Sequence, residues 1–285
     1  MGKRTVLVTG SSGRLGSSVA EMLSREHHVV MMDVMSPASP EQRKWGRVVV
    51  GSVTDRGAVA QAFEGVDAVV HCAAIPWSRP PFDTLLHTNI CGTVNVLEEA
   101  GSRAEVEHFI FLSTIRVHGV LEEVSDDFMP RFLPFDETHP FQAQEYYGGG
   151  KAHAEHWCRM YVRRFKKPVV ALRPSYIVRL HDELHFKAQP APEKPTLLDY
   201  VGTSDVLLAL SLALDFHPKD GYDAFLINAA DQRSSTPTLD LAARYFPNVP
   251  IDREKLAGCD GFAAFLDCCH AQHVLGWKPA YRCVR

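Results

Sequence analysis

The run Thr5-Val6-Leu7-Val8-Thr9 breaks directly into Gly10-Ser11-Ser12-Gly13-Arg14-Leu15-Gly16, and an amphipathic stretch follows at once. A strand that passes through a glycine-rich turn straight into a helix opens a parallel βαβ unit, and no other feature restricts the fold so tightly. The same alternation continues: apolar, β-branched runs predict strands at Thr5–Thr9, His28–Met32, Arg47–Val50, Ala68–Cys72, His108–Ser113 and Pro168–Leu172. Apolar residues at helical spacing predict helices at Arg14–Arg25, Asp55–Phe63, Asp83–Gly101 and Glu145–Phe165. Right-handed crossovers assemble this pattern into a doubly wound parallel α/β sheet. Beyond Arg173-Pro174 the alternation weakens, proline and charge become denser, and a helix at Ser204–Leu214 and a strand at Ala224–Asn228 follow. Residues 1–174 therefore read as the sheet domain and 175–285 as a smaller C-terminal substrate lobe that does not fold independently.

Composition excludes several function classes. With 285 residues, 46% hydrophobic and 22% charged, the chain can bury a substantial core without covalent staples. A formal net charge of −4 leaves no basic excess to displace counterions from phosphates, which argues against nucleic-acid binding. The opening MGKRTVLVTG is too short to span a bilayer and runs into the glycine turn where a signal peptide would be cleaved. No membrane association and a cytoplasmic location are expected. The seven cysteines are an odd number without a Cys-x-x-Cys pair and read as reduced thiols. The fourteen histidines include no His-Glu-x-x-His frame, so no metal is expected.

The segment Thr9–Gly16 lies between a predicted strand and a predicted helix, the setting that a dinucleotide fingerprint requires. Gly10 permits the tight turn, Gly13 lets the backbone approach a pyrophosphate at the helix N-terminus, and Gly16 lets helix pack on sheet. The alternative is a plain glycine-rich βα turn. The sheet is then of Rossmann type. Asp33, about 20 residues beyond the glycines, suits both ribose hydroxyls of NAD and repels the 2′-phosphate of NADP, so NAD is expected over NADP. Arg14 either binds the pyrophosphate or a 2′-phosphate, or is a solvated first-turn residue. Asp55, in Gly51-Ser52-Val53-Thr54-Asp55, is equally readable as a charge at a helix N-terminus.

Tyr147 and Lys151 are four apart, so on a helix they project from one face. A tyrosine alone titrates near 10, and a neighbouring ammonium stabilises its phenolate, which makes an acid/base group. The spacing by itself is weak, because a surface tyrosine beside a solvated lysine produces it too. Ser113-Thr114 strengthens it by closing the preceding strand with a hydroxyl able to hold a reacting oxygen. Gly148-Gly149-Gly150, between the pair, is unusual, since each glycine weakens a helix interior by roughly 0.8–1 kcal/mol relative to alanine. Close approach of a nicotinamide or of a partner helix is the expected compensation.

Taken in order, Thr-Gly-x-x-Gly-x-x-Gly at 9–16, His71-Cys72-Ala73-Ala74, Asn89, Ser113-Thr114-Ile115-Arg116-Val117-His118-Gly119, Tyr147-x-x-x-Lys151, Leu172-Arg173-Pro174 and Asp199-Tyr200-Val201 with Asp205-Val206 resemble the extended short-chain dehydrogenase/reductases. These form the NAD-dependent epimerase/dehydratase group, which acts mainly on sugars and nucleotide sugars. The resemblance covers the first 210 residues or so. It implies that Thr114, Tyr147 and Lys151 are catalytic, with Lys151 also on the nicotinamide ribose. It further implies a cofactor set of Gly10, Ser12, Gly13, Arg14, Leu15, Gly16, Asp33, Val53, Asp55, Ala73, Ala74, Asn89, Tyr147, Lys151 and Pro174, and a homodimer built on the helices at 83–101 and 145–165. His118 departs from the pattern, standing where the family usually has tyrosine.

Only 24 residues separate Pro174 from Asp199, where nucleotide-sugar members usually place a longer segment, so a smaller substrate is expected. Pro81–Gly92, the short loop after Pro174 and Leu275-Gly276-Trp277-Lys278-Pro279 look most like the uronate dehydrogenases within the group, which oxidise a free sugar acid. The longer stretch at 120–144 and Ile115-Arg116 depart from that subgroup. The expected substrate set is Ile75, Trp77, Thr114, Ile115, Arg116, Tyr147 and Arg179, with arginine as the cation for a carboxylate and Trp77 as either a sugar-stacking or a water-excluding aromatic. The leading reading is an NAD-dependent oxidoreductase acting on a sugar or sugar acid. A nucleotide-sugar epimerase or dehydratase that recycles NAD internally is the alternative, and a catalytically silent NAD(P)-sensing protein is the alternative of another class.

Overall fold

Strands form where the apolar runs place them: β-branched and other apolar residues are bounded by glycine or polar turns, and the central strands are buried along almost their whole length, whereas the strand at 47–50 keeps Arg47 and Val50 exposed. In the computed structural model, which describes residues 2–76, 81–119 and 129–285, the order opens with β1 (Thr5–Thr9), α1 (Arg14–Ser24), β2 (His28–Asp33), β3 (Arg47–Val50), α2 (Arg56–Ala62) and β4 (Ala68–His71). It continues with α3 (Phe82–Leu86), α4 (Thr93–Ser102), β5 (His108–Leu112), α5 (Tyr146–Phe165) and β6 (Val169–Pro174). Then come β7 (Ile177–Val178), β8 (Val201–Gly202), α6 (Thr203–Asp215), β9 (Tyr222–Ile227), α7 (Thr238–Tyr245), α8 (Arg253–Leu256) and α9 (Cys269–Val274).

Seven strands make one sheet in the order β3-β2-β1-β4-β5-β6-β9. The pairings of β1 with β2 and β4, of β2 with β3, and of β4 with β5 are all parallel. The chain moves outward in one direction from β1 through β3 and in the other from β4 onward, so the order reverses between β1 and β4. Such a switch point is where a doubly wound sheet leaves a crevice at its strand C-termini. The expected α/β class of Rossmann type is what the chain adopts.

Chain contacts divide the fold into two units. The first comprises residues 1–113, 145–171 and 213–223. In it α1 packs on β1 and β2, and α4 packs on α2 and α5. One expected element differs: the single helix at 83–101 is three pieces, α3, a π-helical turn His87–Gly92, and α4. A π turn inserts a residue into the helical ladder. The Asn89 carbonyl there accepts a hydrogen bond from the Thr93 hydroxyl at 2.7 Å.

The second unit comprises residues 114–144, 172–212 and 224–285. Its core holds Tyr200, which donates to Asp231, while Arg285 pairs with the same carboxylate. Trp277 is fully buried and donates to the Asp205 carbonyl at 2.9 Å. The Asp205 carboxylate accepts from the Ala280 and Tyr281 amides at 3.0 Å each, so this aspartate holds the last residues in place.

The glycines sort into two kinds. A side-chain carbon at Gly16 would lie 2.0 Å from the Gly10 carbonyl oxygen, whereas one at Gly149 meets nothing within 4 Å and one at Gly150 meets Asn89 and Ile90 at an ordinary 3.9 Å. Nothing among the described residues therefore requires glycine at 149 or 150. Gly149→Ala is expected to stabilise the protein by about 0.5–1 kcal/mol through helix propensity, and Gly16→Ala to destabilise it by about 1–3 kcal/mol through overpacking. Urea unfolding of the two variants checks the opposite signs.

Candidate active site

β1 ends in a turn that the Gly10 amide ties to the Met32 carbonyl at 2.8 Å. Gly10 has φ +70°, and a side-chain carbon there would lie 2.7 Å from the Ala73 amide nitrogen. α1 then starts at Arg14 with Gly13 as N-cap and no side-chain cap, so no capping oxygen would compete with an anion for its first-turn amides. Asp33 closes β2, and its two oxygens accept from the Ser12 amide at 2.9 Å and the Met35 amide at 3.0 Å. A carboxylate has about four acceptor positions, so two remain for hydroxyl donors. Arg14 is exposed and Leu15 half-buried. The turn, the uncapped helix end and the acceptor at Asp33 fit a dinucleotide.

Asp55 caps α2, accepting from Gly57 and Ala58 at 2.8 and 3.3 Å. Of the two roles open to it from sequence, helix capping is the one its contacts display. Val53 is buried against Gly92, and its carbonyl accepts from Asn95 at 3.1 Å. Ala73 and Ala74 line the loop after β4, and the Ala73 amide reaches Thr9 Oγ1 at 3.3 Å.

His71, fully buried, organises this region. Thr93 gives its hydroxyl proton to the Asn89 carbonyl, so Thr93 Oγ1 accepts from His71 Nε2 at 3.0 Å, and His71 Nδ1 accepts from Thr9 at 2.7 Å. Burial first, and then the Lys151 charge, push its pKa down to about 3. Asn89 holds Ile75 at two points, accepting from its amide at 2.8 Å and donating to its carbonyl at 3.0 Å.

On α5, Glu145 caps the helix, accepting from Tyr147 and Gly148 at 2.8 and 2.5 Å. Tyr147 is half-buried in the first turn. Lys151 is 3% exposed, donates to the Leu112 carbonyl at 2.5 Å and stands 4.6 Å over the Phe111 ring. Burial pushes its amine down to about 8, against the nearby Cys72, Cys158 and Glu155, which raise it. Sequence spacing alone missed Glu155, although 147, 151 and 155 share one helical repeat; it accepts from Ser113 at 2.5 Å and Tyr222 at 2.8 Å.

The other expected residues belong to the second unit. Thr114 is buried and its hydroxyl accepts from the Arg116 amide at 3.3 Å, opening a short 3-10 turn, Ile115–His118. Ile115 is buried and Arg116 half-buried. His118 is buried, with Nε2 accepting from Arg173 at 3.2 Å, so the histidine in the usual tyrosine position is a core group. Pro174 is buried at the end of β6 and Arg179 is exposed. Trp77 lies outside the described residues. Among the described residues no group of His, Cys, Asp and Glu is arranged to hold a metal, and no helix is long and apolar enough to cross a membrane.

Known proteins resemble this chain in sequence and in fold. The chain is 32% identical over 178 residues to an L-arabinose 1-dehydrogenase (NAD(P)(+)) of Haloferax volcanii, the match covering 61% of this chain and 67% of that one. It is 30% identical over 168 residues to a uronate dehydrogenase of Pseudomonas syringae pv. tomato, covering 59% of this chain and 58% of the relative. The chain thus spans between about half and two thirds of the length of these relatives. A short-chain dehydrogenase/reductase superfamily protein from Agrobacterium tumefaciens, solved with bound NAD, superposes with a TM-score of 0.74 at 24% identity over 98% of this chain and 93% of that one, a likeness of fold. The model of the NAD dependent epimerase/dehydratase family matches residues 6–183, well over half of the sequence. The chain belongs to the NAD dependent epimerase/dehydratase family.

Proposed function

We propose that this protein is an NAD-dependent dehydrogenase of a free sugar or sugar acid, with Tyr147 as acid/base and Lys151 and Thr114 as its partners. The observation that carries the reading is Lys151: a cation buried on the same helical face as Tyr147 and anchored to the strand end that leads into Thr114. Burying an ammonium is costly, and a site that does so has a use for the charge. When bound, NAD supplies the hydride acceptor. Gly10, Ser12, Gly13, Arg14, Leu15, Gly16 and Asp33 would hold its pyrophosphate and adenosine ribose; Val53, Asp55, Ala73, Ala74, Asn89 and Pro174 would complete its binding, and Lys151 would hold the nicotinamide ribose.

The residues would divide the work as follows. Thr114 holds the substrate hydroxyl, Tyr147 removes its proton, and Lys151 stabilises the phenolate that Tyr147 must be in order to do so. Ile75, Trp77, Ile115, Arg116 and Arg179 would line the substrate, with an arginine taking a carboxylate where one is present. Likeness to sugar and sugar-acid dehydrogenases, and the short segment between Pro174 and Asp199, support a small substrate over a nucleotide sugar. We also infer a homodimer built on the helical stretches 83–101 and 145–165, and a cytoplasmic setting, consistent with seven unpaired cysteines.

Mixing the protein with NAD and a panel of free sugars, sugar acids and nucleotide sugars is expected to yield net NADH with a free sugar or sugar acid. Substrate conversion without net NADH would instead assign an epimerase or dehydratase. Tyr147→Phe is expected to lower kcat by about 100-fold or more with NAD affinity retained; undiminished turnover would remove Tyr147 from the chemistry. Because Lys151 loses its proton near pH 8, kcat/KM is expected to fall above about that pH. A profile still rising through pH 9 would show that the ammonium is not required.

A further inference from the structure

Tyr147, Lys151 and Glu155 recur every four residues along α5 and so lie on one face. The third is a fully buried carboxylate with no place in the reaction described above. Ser113 Oγ donates to one of its oxygens at 2.5 Å and Tyr222 Oη to the other at 2.8 Å. One turn earlier, Lys151 donates to the carbonyl of Leu112 at 2.5 Å. Two successive residues at the end of β5 are therefore gripped by two successive turns of α5, one through the Lys151 amine and one through the Glu155 carboxyl. An ammonium in such surroundings sheds its proton or is expelled unless an opposite charge stands near it, and a buried charge persists only when paired and hydrogen-bonded.

The groups acting on Lys151 are few. On the β4 side they are His71 and Cys72; on β5 the ring of Phe111 and the Leu112 carbonyl; on α5 itself Tyr147 one turn earlier, which titrates near 10 when unperturbed, Glu155 one turn later, and Cys158. His71 is held neutral by its two hydroxyl partners and by burial, and burial pushes the thiols of Cys72 and Cys158 up. Glu155 is the member of this set suited to carry negative charge at neutral pH.

We propose that Glu155 is a positioning residue for the catalytic pair: fixed by Ser113 and Tyr222, its carboxylate is the countercharge that keeps Lys151 an ammonium, and through Ser113 it holds the strand end that continues into Thr114. The proposal rests on the assignment of Lys151 to the reaction, and it extends that assignment to a group that touches neither substrate nor cofactor.

The test is a pH titration of lysine 13Cε chemical shifts by NMR on the whole protein, with the Lys151 signal identified by its loss in Lys151→Arg. In Glu155→Gln the Lys151 midpoint is expected to fall by about one pH unit or more, and in Glu155→Asp, which keeps the charge, by less than about half a unit. An unmoved midpoint in folded Glu155→Gln overturns the proposal. The unaltered protein offers a second readout that does not depend on any variant folding: the Glu155 13Cδ shift is expected to be that of a carboxylate at pH 7, and a protonated Glu155 there overturns the proposal equally. Turnover by Lys151→Met separates the two claims. If that variant stays active, the catalytic role of Lys151 fails while the coupling to Glu155 stands or falls on the titration.

Discussion

The close approach of the β1 turn to the β4 loop is the constraint on which the first unit depends. Gly10 and Ala73 are so near that a single side-chain carbon at 10 would reach the Ala73 amide at 2.7 Å. Two neighbouring parallel strands that leave their sheet in opposite directions must begin their turns in this small space, and glycine at positive φ makes that possible. A chain of hydrogen bonds then extends the contact inward: Ala73 to Thr9, Thr9 to His71, His71 to Thr93, Thr93 to the Asn89 carbonyl, and the Asn89 side-chain amide back to the Ile75 carbonyl. Because Thr93 gives its proton to the Asn89 carbonyl, it can only accept from His71, which fixes the neutral tautomer of His71 and with it the direction of the whole chain. The loop 73–75 and the π-helical turn around Asn89 are positioned by the same few bonds.

A second constraint is electrostatic. Lys151 is an amine in a largely apolar setting, beneath it a phenylalanine ring and beside it a carbonyl. Desolvation favours the neutral amine, and opposing charge favours the ammonium. The balance falls at about 8, close enough to neutrality for small changes around the lysine to alter its charge. Glu155, Ser113 and Tyr222 stand on the side of the ammonium, all within the first unit, which ties the state of the lysine to the packing of α5 against the end of β5.

Much of this was readable from the sequence because it depends on local pattern. The β-branched runs and the glycine turn bring out β1 to β5 with ends displaced by a residue at most, and the long apolar repeat of α5 emerges almost whole. What local pattern cannot carry is different in kind. The π turn at 87–92 leaves the hydrophobic spacing around it nearly helical, so 83–101 reads as one helix. The role of Asp55 depends on where its carboxylate points, and only its bonds to Gly57 and Ala58 display the cap. Glu155 sits in plain view at the right spacing, but its partner Tyr222 is 67 residues away, and the meaning of the carboxylate lies in that distant contact. The glycine run at 148–150 looks like a demand for close approach by a cofactor or a partner, and within the chain itself the space beside Gly149 is open and that beside Gly150 ordinary.

The turn at 10–16, the uncapped start of α1 and the Asp33 carboxylate form a site suited to NAD in particular. Titration calorimetry with NAD and with NADP, side by side at one pH and ionic strength, tests it most directly. The expected result is saturable one-site binding of NAD, with NADP weaker by about tenfold or more, a difference of about 1.4 kcal/mol set against the 2′-phosphate by Asp33. Binding of NADP as tight as NAD, or binding of neither, would contradict the assignment.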